Sequence, residues 1–416
     1  MNKLEIPFAG TSRQEASSKR VLFLSSNLGC QRQLGDLLVD PTCGWTPVFA
    51  ADPQSGLELL LDNTSTISAA VVDAGCSEVD GTAFLDRARN EVPHVARLLL
   101  AASDGGRRVL SSPMAVCTLP RQCERTALEA FLDRALATHV LIRQEPVVSI
   151  VGEVDYLPPL PSTYQRFEEA ASTDDVNLRE IATIVESDPA MALRVLHLVN
   201  SAGFGMVQRI PSVFAAVQYL GLELLRGLLL AAHVMHTFEH IRVRHFSLTH
   251  FQRYSTRVAG LARCFSASAH REEALIASVL HDIGELILAL RRPDEFSRIA
   301  AQAMEAGEPT WRFEQAELGA SHGEVGAAFL AKWGMPLPVV ECVAYHHCPS
   351  VAPHGGPDAL GPVHAACALT SIATCREPES SLDQAYLHSR GFREALPRWR
   401  TITADQARTW SGAKIS

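Results

Sequence analysis

The chain has 416 residues, 47% of them hydrophobic and 20% charged, a balance that suits two or three buried cores and excludes a disordered chain. Its formal net charge of −9 is diffuse and no DNA-binding motif is seen, which argues against a dedicated nucleic-acid binder. The most apolar stretch, Leu222 to Val234, is short and interrupted by Glu223, Arg226 and His233, and the N-terminus lacks the apolar middle of a secretory signal. The expectation is a cytoplasmic protein with no membrane span.

Residues 1–18 are polar and read as a flexible leader. From residue 19 short apolar runs alternate with helical patterns. Strands are expected at Val21–Leu24, Thr46–Ala51, Ala69–Asp73, Ala96–Ala101 and Met114–Leu119. Helices are expected at 28–38, Ser55–Leu61, Ala83–Asn90 and Glu124–Leu141. Strands alternating with helices imply an α/β domain over 19–141, a parallel sheet covered on both faces. Residues 142–156 are rich in proline and read as a linker.

Beyond the linker only helical periods remain, so 157–375 is expected to be all-α. Asp188-Pro189 supplies an N-cap and a first-turn proline, with Gly203 and Gly205 ending that helix. Pro211-Ser212 opens the next, stopped by Gly221, and 222–238 forms a strongly apolar one. Further helices are expected at 249–268, 271–290, 294–306, 322–333, 337–347 and 359–375. Residues 376–416 read as a tail. None of the ten cysteines forms a CxxC pair, and the spacing of Cys342 and Cys348 about the His346-His347 pair fits no common zinc pattern.

The βα pattern of 19–141 resembles a response-regulator receiver, with a flavodoxin-like fold. A receiver needs two acids after the first strand, an acceptor aspartate after the third, a Ser or Thr after the fourth and a Lys before Pro after the fifth. In VLFLSSN, Ser25 and Ser26 stand where the acids belong, and hydroxyls hold a hard dication poorly. Asp73 matches the acceptor, followed by the turn Glu78–Gly81, but Ala101 and Leu119 replace the other two groups. The resemblance therefore implies a pseudo-receiver that docks or dimerises, with Asp73 a phosphoacceptor-like residue that caps a strand rather than carrying phosphate.

Residues 157–347 resemble the HDOD family, relatives of the HD phosphohydrolases. LPPLP (157–161), IVESDPAMALRVLHLVNSAGFG (184–205), IPSVFAAVQYLGLELLRGLLL (210–230), VLHDIGELIL (279–288), SHGEVGAAFLAKWGMP (321–336) and AYHH (344–347) carry the likeness. In HD enzymes imidazoles and carboxylates hold divalent metals that activate water. The resemblance implies a vestigial metal cluster of His281, Asp282, His322, His346 and His347. Two ligand places are lost: Tyr254 stands for the first histidine and Cys367 for the last aspartate, with His250 a turn away as a substitute. Neighbours on a helix point about 100° apart, so His281 and Asp282 can share an ion only near a bend. The Asn200-Ser201 turn reads as a helix end.

Three functions follow as expectations. The first is a bacterial signal-transduction scaffold that acts through protein partners, with a homodimer as one arrangement and no cofactor. The second is a metal-dependent phosphohydrolase of nucleotides or cyclic dinucleotides. Against it, the Gly-Tyr-Pro of cyclic-di-GMP hydrolases is absent, since His347 leads into CPSVAPHGG. The third is a sensor that binds a nucleotide second messenger without turnover.

Overall fold

The computed structural model of the chain describes residues 19–38, 43–62, 67–73, 81–101, 118–120, 124–152, 162–171, 176–200, 210–238, 243–333 and 335–410. The leader, the segment 157–161 and the glycines at 203 and 205 lie outside these residues. The chain divides into two units after Val140.

The first unit runs β1 (Lys19–Leu24), α1 (Leu28–Leu38), β2 (Trp45–Ala50), α2 (Pro53–Asp62), β3 (Ile67–Asp73), α3 (Gly81–Glu91), β4 (Ala96–Ala101), β5 (Thr118–Pro120) and α4 (Arg125–Ile142). The strands pair in parallel in the order β2-β1-β3-β4-β5. Because helices cover both faces, Val21–Leu24 and Ala69–Val72 are continuously apolar and buried. Pro47 sits within β2, which its position at the sheet edge allows. The strand order reverses between β1 and β3, and this switch point brings Ser25 and Asp73 together. The last strand is shorter than the expected Met114–Leu119; residues 114–117 and the turn at 78–80 lie outside the described residues.

The second unit is helical: α5 (Glu145–Val151), α6 (Ser162–Ala171), α7 (Leu178–Glu186), α8 (Pro189–Val199), α9 (Val213–Phe238), α10 (Leu248–Phe265), α11 (Arg271–Leu280), α12 (Ile283–Arg291), α13 (Pro293–Ala306), α14 (Thr310–Leu318), α15 (His322–Lys332), α16 (Leu337–Tyr345), α17 (Leu360–Ala373), α18 (Gln384–Ser389) and α19 (Leu396–Trp410). Asp188 caps α8 by accepting the Met191 amide, as its Asp-Pro signal predicts. Asn200 ends that helix as a staple. Its amide donates to the carbonyls of Leu196 and Ile210, at 2.8 and 2.9 Å, and its Oδ1 accepts the Ile210 N–H. Gly221, at φ 80°, bends α9 where the stop was expected.

Three expectations need correction. The expected linker contains α5: Pro146 lies in its first turn, and Val147, Ile150 and Val151 are buried against α12 and α15. The expected single helix 271–290 is broken at His281-Asp282, where Asp282 leaves helical geometry (φ −96°, ψ 14°). The expected tail holds α18 and α19, pinned by Trp399, which stacks on Phe265 with ring centroids 4.7 Å apart. Among the described residues no single helix is long and apolar enough to cross a membrane.

The crossing of α12 and α15 leaves no room for side chains. A Cβ on Gly284 would fall 1.9 Å from the His322 carbonyl oxygen, and one on Gly326 would fall 3.1 Å from the Gly284 backbone nitrogen. Gly284→Ala is therefore expected to cost about 3 kcal/mol or more by forcing the two backbones apart, measurable as a lower midpoint in urea unfolding. An unchanged midpoint would refute this close packing.

Candidate functional site

Helix ends build the site. His281 and Asp282 occupy the break between α11 and α12, which gives the two side chains the freedom to converge that one continuous helix would deny. Asp282 also faces the positive N-terminal end of α12, a favourable place for a carboxylate. His322 opens α15 behind a capping box made by Ser321 and Glu324. His346 and His347 follow the last turn of α16. All five expected residues therefore meet, although up to 66 positions separate them in sequence.

Asp282 lies at the centre and is buried. Its carboxylate oxygens are 3.1 Å from His281 Nε2, 3.5 Å from His322 Nε2 and 3.4 Å from His346 Nε2. Burial pushes its pKa up, yet the facing histidines outweigh this and hold the carboxyl well below the usual range. Burial lowers His346 to about 4, so its ring is neutral at pH 7. Burial and the neighbouring His346 and His322 likewise push His347 down. Burial also opposes charge on His322, but the Glu314 and Asp282 carboxylates prevail and raise it.

The tautomers follow from the outer contacts. The Nδ1 atoms of His281 and His346 lie 2.8 Å from the carbonyls of Ser278 and Val343, and a carbonyl can only accept. Each Nδ1 therefore carries a proton, and in the neutral ring of His346 Nε2 presents a bare lone pair. No hydrogen bond reaches either Nε2. His322 differs: its Nδ1–H and its backbone N–H both donate to Glu314 Oε2, at 2.7 Å each, and its Nε2 lies 2.9 Å from His347 Nε2. A carboxylate behind a histidine is the arrangement that orients metal-ligating imidazoles. Donor atoms of Asp282, His322, His346 and His347 all lie within 4.8 Å of one another, as do those of His281, His346 and Cys367. Imidazole nitrogens gathered around a buried carboxylate are a donor set that fits a divalent cation.

The two replaced positions also meet. Tyr254 and Cys367 are 113 residues apart, yet the Tyr254 hydroxyl donates to the Cys367 carbonyl at 3.2 Å and lies 2.6 Å from Ser371 Oγ. Its ring packs 5.6 Å from that of His281. Burial holds both the phenol and the Cys367 thiol protonated, well above their ordinary ranges. His250, the expected substitute, sits exposed on the first turn of α10 and belongs to neither donor group. Cys342 and Cys348 join neither group, and burial raises Cys348 to about 12.

Three residues escaped the sequence reading. Glu314 is fully buried behind His322, Trp311 stacks on His347 with centroids 5.7 Å apart, and His364 bridges the His346 carbonyl to the Asp383 amide. A cavity of about 440 Å³ adjoins the cluster, lined by Tyr254, Asp282, Glu285, Phe246, Phe251, Phe296, His250 and Arg376, among others. In the first unit, Ser25 Oγ donates to Asp73 Oδ2 at 2.9 Å and both are buried.

The helical unit thus gathers a His-Asp pair with three further histidines around one buried carboxylate. Residues 157–349 match the HDOD domain, and the chain carries an HDOD domain there. An uncharacterized protein of Treponema pallidum (strain Nichols) is 29% identical over 202 residues, 48% of this chain and 39% of that one, so this chain matches about two fifths of its curated relative. An HDOD domain protein of unknown function from Geobacter sulfurreducens is 22% identical, with 64% of this chain and 98% of that one covered and a TM-score of 0.47. The signal receiver domain of an HD domain-containing protein from Pseudomonas fluorescens Pf-5 is 21% identical, with 31% and 93% covered and a TM-score of 0.27.

Glu314→Ala is expected to cost about 3–5 kcal/mol, because it leaves the His322 ring and amide buried without a partner. Glu314→Gln keeps an acceptor and should cost clearly less. Urea unfolding of the two variants checks the order, and equal losses would contradict it.

Proposed function

We propose that this protein is a signal-transduction protein whose HDOD domain works by contact with protein partners rather than by catalysis, coupled to a receiver-like domain that does not use phosphate. The observation that carries this reading is the Tyr254–Cys367–Ser371 cluster beside His281. In HD enzymes the places of Tyr254 and Cys367 would hold a histidine and an aspartate. Here they hold a protonated phenol and a protonated thiol bonded to each other's surroundings. Water activation needs a cation with an open coordination position and ligands that keep it there. The replacements put a phenol and a protonated thiol where ionised, hard donors would hold a water-activating cation.

The first unit supports the same reading. A hydroxyl replaces the metal-binding acid, and Ser25 donates its proton to the one surviving carboxylate. Serine holds a cation poorly, so a phosphoryl group on buried Asp73 would add negative charge with no acid at position 25 to bind the cation that offsets it. Incubation with a small acyl phosphate and Mg²⁺ is expected to leave the intact mass unchanged. A mass gain of one phosphoryl group that is lost in Asp73→Asn would overturn this part.

The cavity next to Asp282 favours a second reading, a sensor that binds a nucleotide second messenger without cleaving it. Arg376 offers a cation for phosphate, and Phe246, Phe251 and Phe296 offer apolar walls. The two readings share the absence of turnover. With Mg²⁺, Mn²⁺, Fe²⁺ or Zn²⁺ present, hydrolysis of nucleotides and cyclic dinucleotides by the wild type is expected to match that of Asp282→Ala. Turnover present in the wild type and lost in the variant would establish a phosphohydrolase.

A further inference from the structure

We propose that His281, His346 and Cys367, with the Asp282 carboxylate, form a closed site for a soft divalent cation, Zn²⁺. Two observations carry this. The first is that the Nε2 atoms of His281 and His346, both on side chains with no solvent exposure, have no hydrogen-bond partner, and that a ring nitrogen of each lies within 4.8 Å of Cys367 Sγ. The second is that the other pair of rings is already engaged. His322 Nε2 and His347 Nε2 are 2.9 Å apart, so a proton on either one makes a hydrogen bond to the other, while Glu314 holds His322 from behind. The ligand demand of the cluster therefore falls on the side of His281, His346 and Cys367.

The donor types select the metal. An aspartate at position 367 would give a set of imidazole and carboxylate donors that also suits Mn²⁺. A cysteine there adds a soft sulfur, which together with two imidazoles favours Zn²⁺. On binding, the Cys367 S–H bond breaks, its proton leaves to solvent and the sulfur electron pair forms the bond to the metal, with no change of oxidation state. The Tyr254 hydroxyl, 3.5 Å from Sγ, is placed to donate to the resulting thiolate. Three of these donors lie within 4.8 Å of one another, and the Asp282 carboxylate, 3.1 Å from His281 Nε2 and 3.4 Å from His346 Nε2, is the fourth group within reach of an ion held there, the number that fills a zinc site.

This inference concerns the same cluster as the proposed function, but the two fail separately. The test uses the full chain, stripped with chelator and reloaded with Zn²⁺ or with Co²⁺ as a spectroscopic stand-in. One equivalent of either metal is expected, and the cobalt form should show a thiolate-to-cobalt charge-transfer band in the near ultraviolet. Cys367→Ser should abolish the band and weaken zinc binding at least tenfold. Cys367→Asp should keep a metal site without the band and shift its preference toward Mn²⁺. His347→Ala, outside the proposed donors, should retain the band. If the Cys367 variants do not fold, the wild-type band decides alone. Stoichiometric cobalt without a thiolate band, or no bound metal, overturns the site. Turnover by a protein that shows the band would overturn the contact reading and leave the site standing.

Discussion

A single buried carboxylate organises the helical half of this molecule. Asp282 keeps its negative charge among apolar helices, where an uncompensated ion would be prohibitively costly. Three imidazoles face it and a fourth joins them through His322, so its burial fixes where α11, α12, α15 and the end of α16 meet. The glycines of α12 and α15 serve the same end. They let the two backbones touch, which places the first residue of α15 next to the break that holds Asp282.

Much of this was legible in sequence because it rests on local rules. Continuous apolar runs such as Ala69–Val72 announced buried parallel strands, and Asp188-Pro189 announced a helix start. The five clustered residues stood out through short motifs. The break at His281-Asp282 did not, because apolar residues continue on both sides and no glycine or proline occupies the two positions themselves. Pro146 belongs to a proline-rich stretch that reads as a linker, although the same residue also suits a first helical turn. Glu314 and Trp399 were invisible for a different reason. Each owes its role to a partner on another helix, and periodicity within one segment carries no trace of it.

The two departures from the HD pattern are more informative together than apart. Tyr254 and Cys367 could each be dismissed as drift in a single position. Their mutual contact, with Ser371 completing the bonds, joins them in one buried cluster. The helical unit thus sets a phenol and a thiol beside the imidazoles that surround Asp282. In the first unit Ser25 and Asp73 repeat the theme, with a hydroxyl where a metal-binding acid would stand.

Diffraction from metal-loaded crystals, collected at the absorption edge of the bound ion, addresses this most directly. The expected result is one ion ringed by side chains from both edges of the α11–α12 break and from α17, with no water in its coordination sphere. An ion that carries an ordered water directed into the neighbouring cavity would contradict it.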